Sequence, residues 1–382
     1  MRKNRERTKF PLVWAEIRLD HLRHNLREIR QKLQKSGAEV LAIVKADAYG
    51  HGMKAIAETL WKDGVNFFGV ANIEEASELR RVCPQSKILA LGSFHESQIS
   101  LYVRLQIRPT VSSTEDLEML EKKLRPGARF PVHVKVDTGM GRLGVWHEEA
   151  INLLKKISAS DKIKIEGIYT HFASADEAGE RSTLRQLALF DRLSKEILGF
   201  GIHPKYWHAA NSLGLVRFHK AHFNLVRPGI LLYGLNPWKK GNLDLKLKPV
   251  LSLKTRISFL KKVPKGRRLS YGGTHQTSNS THIATLPIGY SHGFRVDFSN
   301  KGFVLVKGRR CAVVGRVTMD QTLVDVGKSP IDRRWDEVTL IGEENGQRIS
   351  AEELAEIAGT IPYEVVCSIH SRIPRIYKGL KR

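Results

Sequence analysis

"VLAIVKADAYGHGMKAIAETLWKDGVNFFGVA", residues 40–71, decides the fold. An apolar run ends on Lys45, with Tyr49, His51 and the glycines Gly50 and Gly52 crowded behind it; a helical pattern starts at Met53 and a second apolar run at Phe67. Short continuous apolar runs read as strands buried on both faces, and a helix between two of them is the crossover that parallel pairing needs. The pattern repeats outward. "KILALG", "RPTV", "PVHVKVD", "IEGIYTHF", "KYWHAAN" and "LVRPGILLYG" follow as strand candidates, with helical stretches such as "IEEASELRRV", "HEEAINLLKKI" and "STLRQLALFDRLSKEILGF" among them. Roughly eight such strands fit a (β/α)8 barrel of the TIM type better than a doubly wound sheet. No GxGxxG follows the first strand, which weakens the dinucleotide-binding alternative.

Beyond residue 250 the texture changes to strand-like runs without long helices, such as "VLSLKTRISFLKKV", "THIATLPIGY" and "GFVLVKGRRCAVVGRVTMDQTLVDV". The expected organisation is a basic tail over 1–11, an α/β barrel over 12–245, and a C-terminal mainly β domain over 246–382. "NPWKKGNLDLKLKP" has the Pro, Gly and Lys of a linker. One short helix is expected in "SAEELAEIAG", where Ser350 and Glu353 stand in capping-box spacing.

With 382 residues and 41% hydrophobic content the chain can bury an ordinary core. No apolar run approaches the roughly 18 residues of a membrane span. The basic start "MRKNRERTKF" lacks a signal peptide's apolar stretch, and Cys83, Cys311 and Cys367 lie far apart, so a reducing cytoplasm without a disulfide framework or a zinc pattern is expected. A net charge of +24 raises the question of nucleic acid. Its Lys and Arg are spread over the whole length with no recognised motif, which reads as solvated basic faces.

In a barrel the working groups gather at the C-terminal strand ends. Lys45 follows "AIV", Asp137 and Arg142 follow "VHVKV", His171 follows "IEGIYT", Asn211 and Ser212 follow "YWHAA", and Arg227 and Gly229 stand in "LVRPG". Singly, each has a bland reading: a solvated strand end, a core histidine, a turn glycine. Together they make a site for an anion and an electrophile, without the carboxylates that would hold a metal. A lysine amine beside other cations attacks carbonyls, and with a phosphate-binding loop next to it the obvious partner is pyridoxal phosphate, held as a Schiff base.

"AIVKADAYGHG", "VDTGMGRLG", "YTHFASAD", "HAANS", "VRPGILLYG", "PIGYSHG", "GRVTMDQ" and "IPYEV" resemble, in order, the successive signatures of the alanine racemase family. The resemblance implies a barrel followed by a β domain, a pyridoxal 5'-phosphate cofactor, and a homodimer whose sites are shared between subunits. It implies interconversion of L-alanine and D-alanine, with D-alanine passing to peptidoglycan. Lys45 would hold the cofactor and act as base on one substrate face, and Tyr290, from the other subunit, as base on the opposite face. Tyr49, Ser212, Gly229, Ile230 and Tyr363 match phosphate-binding positions, His171 would stack on the cofactor ring, and His208 would support the network behind it. Arg227 matches the arginine facing the pyridine nitrogen. A guanidinium keeps its proton, so the ring stays a weaker electron sink, which favours racemisation over transamination. Arg142 and the Met319 N–H match the groups that bind the substrate carboxylate, Asp176 and Arg316 match entrance residues, and Lys135 matches a lysine carbamylated in some members.

The departures are few. Asp47 stands where asparagine is frequent, His292 where aspartate is usual, and Thr318 where cysteine is common; the last two lie beside Tyr290 and Met319 and bear on substrate breadth. The alternatives are a racemase of broader specificity that also takes serine and other small amino acids, a non-catalytic pyridoxal-phosphate-binding regulator, a barrel decarboxylase, which would carry a carboxylate in place of Arg227, and a nucleic-acid-binding protein.

Overall fold

The structure is a computed structural model describing residues 10–177, 179–238, 241–328 and 332–380. It divides into two compact units. The barrel unit holds Leu22–Ala48 and Gly52–Lys248; the β unit holds the described parts of Met1–His21, Tyr49–His51 and Pro249–Arg382.

In chain order the first ten strands are β1 (Val13–Arg18), β2 (Glu39–Ile43), β3 (Phe67–Val70), β4 (Lys87–Ala90), β5 (Thr110–Val111), β6 (Phe130–Asp137), β7 (Val145–Trp146), β8 (Ile163–Tyr169), β9 (Tyr206–His208) and β10 (Leu225–Val226). In the barrel unit one parallel run has the order β10-β2-β3-β4 and a second the order β5-β6-β8-β9, with β7 beside β6. The two runs close on each other. A parallel bridge between Leu89 and Arg108 joins β4 to the approach of β5, and Arg227 N–H donates to the Ala210 carbonyl (2.9 Å) just past β9 and β10. The barrel expected from the alternating runs is therefore formed, and its strands are buried as those runs predicted: all of β3 and all but one residue of β6. The helices seal it by amphipathic spacing. Met53–Lys62 buries Met53, Ile56, Ala57 and Leu60 on one face, and the Asn72 side chain caps Ile73–Val82 by accepting the Glu75 N–H (3.0 Å).

The first strand departs from expectation. β1, read at the start of the barrel, pairs in the β unit, antiparallel with β11 (Leu251–Arg256) and parallel with β21 (Arg375–Lys378). Both partners are remote in sequence, and a local apolar run says nothing about which sheet it will join. Between them run β12 (Phe259–Val263), β13 (Arg268–Leu269), β14 (His275–Gln276), β15 (Thr281–Leu286), β16 (Phe303–Val306), β17 (Arg309–Val313), β18 (Thr322–Gly327), β19 (Glu337–Glu344) and β20 (Gln347–Ile349). The main sheet has the order β12-β15-β18-β17-β16-β19-β11-β1-β21, with β20 on β19. In β11 and β18 buried and part-exposed residues alternate strictly, as an antiparallel strand with one covered face requires. The expected short helix is present at Ala351–Ile357, with Ser350 Oγ accepting the Glu353 N–H (3.0 Å).

Candidate active site

Where β2 leaves the sheet, the chain makes a left-handed turn. Ala46, Asp47, Ala48 and Tyr49 all have φ of 53–54°, a conformation that costs an L-residue about 1–2 kcal/mol each. The surroundings offset this. The Ala46 N–H donates to Glu75 Oε1 (2.8 Å), the Ala71 N–H to Glu75 Oε2 (2.8 Å), and the Met53 N–H to Asp47 Oδ1 (2.7 Å). The Ala48 and Gly52 N–H groups return to the Val44 and Asp47 carbonyls (both 2.9 Å). A side chain on Gly50, at φ +79°, would collide with the Val366 carbonyl. Lys45 is thus presented from a braced turn and not from a loose strand end.

On β6 the Asp137 carboxylate organises the loop that carries Arg142. Its Oδ1 accepts the Gly139 and Met140 N–H groups (2.8 Å each) and its Oδ2 the Arg142 N–H (3.2 Å). Gln186, on the helix Arg181–Gly199, ties this loop to the next by donating to Thr138 Oγ1 and the His171 carbonyl (both 3.1 Å). Lys135, two residues before Asp137 on β6, is pushed down to about 8, first by burial and then by Arg142, Arg227 and Lys45, with Asp137 opposing. His171 is held well below the ordinary histidine range by burial and then by Arg227, Lys135, Arg142 and Lys45. These shared influences are the mark of one cationic cluster at the C-terminal strand ends. Its histidine is neutral.

Arg227 is 3% exposed. Its Nη1 donates to the His208 carbonyl (2.9 Å) and reaches His208 Nδ1 (3.0 Å); its Nη2 donates to the Thr170 (2.8 Å) and Ala209 (2.9 Å) carbonyls and reaches His171 Nδ1 (3.3 Å). Burial lowers it to about 10, which still leaves it charged at neutral pH. With both terminal nitrogens committed, Nε–H is the guanidinium donor without an acceptor among the described residues. Nearby, the Gly229 N–H donates to Ser212 Oγ (2.9 Å), and the buried Ile230 N–H meets no protein acceptor among the described residues. A hydroxyl, backbone N–H groups and a cation are the donor set that a phosphate and a pyridine nitrogen accept from. The residues fit pyridoxal phosphate.

The remaining candidates lie in the β unit. The Tyr49 and Tyr363 rings are 5.9 Å apart at 45°. Tyr290 and Met319 are brought together by their backbones: the Tyr290 N–H donates to the Thr318 carbonyl (3.1 Å) and the Ser291 N–H to the Met319 carbonyl (3.0 Å). Both side chains are open to solvent, at 45% and 55%. His292 Nδ1 accepts the Gly289 N–H (3.3 Å), and Thr318 Oγ1 donates to the Gln321 carbonyl (2.9 Å), so both departures are absorbed into the turns that hold Tyr290 and Met319. Asp47 uses one oxygen, which an asparagine would supply equally. Asp176, in the barrel unit, and Arg316, in the β unit, are exposed. Glu75, Gln186, His133 and Glu166 were missed in the sequence. Glu75 reads there as an ordinary first-turn acid, whereas His133, the one imidazole inside the apolar "PVHVKVD", carried a signal.

A family model for the alanine racemase N-terminal domain matches residues 17–237, and one for the C-terminal domain residues 250–377. The chain belongs to the alanine racemase family. It is 44% identical over 371 residues to the alanine racemase of Halothermothrix orenii, covering 96% of this chain and 97% of that one. It is 40% identical to that of Carboxydothermus hydrogenoformans, over 96% and 99%. Among solved structures, the alanine racemase from E. faecalis superimposes with a TM-score of 0.89 at 32% identity, covering 96% of this chain and 98% of that one. The alanine racemase from Bartonella henselae, a structure with covalently bound pyridoxal phosphate, gives 0.86 at 32% identity, over 96% and 100%. The chain is an amino-acid isomerase, an alanine racemase by relationship along almost its entire length. Among the described residues no helix is long and apolar enough to cross a membrane, and no three His, Cys, Asp or Glu are grouped to hold a metal ion.

Proposed function

We propose that the racemase works with pyridoxal phosphate carried on Lys45, and that Lys45 and Tyr290 exchange protons with opposite faces of the alanine α-carbon. Bound there, the cofactor supplies an electron sink that makes the α-proton acidic enough to remove. The residues do the rest. In the barrel unit Ser212, Gly229 and Ile230 would anchor the phosphate and His171 would cover the ring; Tyr49 and Tyr363, in the β unit, match further phosphate-binding positions of the family, and Arg142 and the Met319 N–H match its substrate-carboxylate positions. Lys45 would take the proton from one face of one enantiomer while Tyr290 delivers a proton to the opposite face, and the two would exchange roles in the reverse direction, each acting as base one way and acid the other. The neutral amine of Lys135, accessible because that side chain is lowered to about 8, is the form that takes up carbon dioxide, and the resulting carbamate would orient Arg142.

The observation that carries this reading is Arg227, a buried guanidinium whose terminal nitrogens are fully engaged. Its remaining donor, which keeps its own proton, would face the pyridine nitrogen of a bound cofactor and leave it unprotonated, so that the group would supply a restrained electron sink of the kind that suits racemisation over transamination. A decarboxylase reading would need a carboxylate at this position.

We further propose that Tyr290 and Met319 serve the site of a second copy of the chain, in a homodimer in the cytoplasm. Two large side chains, held at their backbones and left half open to solvent, support this, as does Tyr271, two residues after β13, which is 71% exposed. The test is complementation. Lys45→Ala and Tyr290→Phe proteins, each inactive, are unfolded together and refolded; random pairing makes half the dimers mixed, each with one intact site, so about a quarter of wild-type activity returns. No recovery in a mixture whose wild-type control refolds would place both bases in one chain.

A further inference from the structure

We propose that Glu166 is a positioning residue for racemisation, acting through His133 and His208 to set the orientation and donor strength of Arg227. The inference rests on the role given to Arg227 above.

All four groups lie in the barrel unit, in one line. Arg227 Nη1 reaches His208 Nδ1 at 3.0 Å, His208 Nε2 reaches His133 Nδ1 at 2.8 Å, and His133 Nε2 faces Glu166 Oε2 at 3.6 Å. Both imidazoles are 0% exposed. Arg108 closes the far end, its Nε donating to Glu166 Oε2 (2.7 Å) and its Nη2 to Oε1 (3.4 Å).

The chemistry allows one proton arrangement. A guanidinium only donates, so His208 Nδ1 must accept. A neutral imidazole then has its proton on Nε2, which donates to His133 Nδ1, and His133 in turn must be protonated on Nε2, directed at Glu166. That nitrogen has no acceptor within hydrogen-bond length, and the carboxylate 3.6 Å away is the group it faces. Burial holds both imidazoles low and hence neutral. Burial alone would raise Glu166, but His133 and Arg108 more than offset it and hold the carboxyl at about 2, fully ionised at neutral pH. The donors therefore all point one way, from a buried cation toward a part-buried carboxylate.

The packing keeps the rings from rotating out of line. The His208 ring stacks on Tyr169 at 4.6 Å and 7°, and the His133 ring stands edge-on to Phe67 at 5.6 Å and 79°. Gly167, next to Glu166, makes room: a Cβ there would lie 2.5 Å from His133 Nδ1 and Cε1. Arg227 otherwise touches only neutral acceptors, and Glu166, itself ion-paired with Arg108, is the carboxylate at the far end of its line through the two imidazoles. Without that carboxylate the direction of the chain is held from the Arg227 end alone. A donor in its place would let His133 carry its proton on Nδ1 and His208 on Nδ1, against the Arg227 N–H.

The test is Glu166→Gln in the full-length chain labelled with 15N-histidine, measured with and without pyridoxal phosphate. In wild type, the imidazole nitrogen shifts of His133 and His208 should both report protonation on Nε2, before any cofactor is added. In Glu166→Gln a population with the proton on Nδ1 should appear, kcat should fall about tenfold with KM little changed, and the fraction of turnovers ending in transamination should rise. Glu166→Asp, which keeps the charge, should retain the Nε2 tautomers and most of kcat, so a general loss of packing is recognised by its hitting both variants alike. Unchanged tautomers and unchanged kcat in Glu166→Gln would overturn the proposal, as would equal damage by both variants. The tautomer result stands apart from the racemase reading: a protein with the one-way chain but no racemisation would sink that reading and leave this assignment of protons in place.

Discussion

Arg227, at the barrel mouth, is 3% exposed and makes five side-chain contacts with nitrogen and oxygen atoms around it; Tyr290, in the β unit, is 45% exposed and is held through its backbone, with no side-chain hydrogen bond among the described residues. Both belong to the proposed chemistry. The contrast separates two tasks. Groups that tune a cofactor must be desolvated and fixed, because the strength of a charge depends on its surroundings. A group that completes a neighbour's site must project from its own fold, with only its backbone anchored. Substitutions at the barrel mouth should therefore disturb cofactor binding and stability, and those around Tyr290 should disturb turnover alone.

The largest effect is expected at Lys45. Lys45→Ala should lose the cofactor's visible absorbance after dialysis and reduce activity by at least about 10³-fold. A yellow, dialysis-stable variant would break the barrel side of the comparison.

Lys135 measures what crowding cations at a buried mouth costs. Its folded value of about 8 lies below the ordinary 10.5, so the unfolded chain binds more protons between those values and stability rises with pH across that window. Below pH 8 both states are charged and the penalty, about 3 kcal/mol, is present in full. In carbon-dioxide-free buffer, Lys135→Met should be the more stable protein to urea at pH 7, with the advantage shrinking by pH 9.5. A difference independent of pH would mean that Lys135 is not held in this way.

A smaller effect belongs to Glu75, the brace of the left-handed turn. Glu75→Ala leaves the Ala46 and Ala71 N–H groups without their acceptor and should cost about 1–3 kcal/mol in thermal unfolding, with faster release of cofactor. Glu75→Gln keeps one acceptor oxygen and should fall between. If Glu75→Ala loosened the cofactor no more than a surface substitution does, the turn would hold its shape by other means.

The barrel and most of the proposed site could be read from the chain because parallel strands are uniformly apolar, so a charged residue that ends one, such as Lys45 or Arg227, stands out. The positions of β1 and of the His133–Glu166 line could not. Both depend on which strands become neighbours, and periodicity in one segment holds no record of its partner. The left-handed turn was hidden for a different reason. Four successive residues other than glycine adopt it, against their own preference, and the acceptors that make it affordable come from Glu75, on a helix one strand further on, and from Asp47 within the turn.

The most direct test of the two-base account is wash-out of α-deuterium from each enantiomer of alanine by the Tyr290→Phe protein, loaded with pyridoxal phosphate. With Tyr290 serving L-alanine and Lys45 serving D-alanine, exchange from the D enantiomer should persist while exchange from the L enantiomer collapses. Equal residual exchange from both would contradict it.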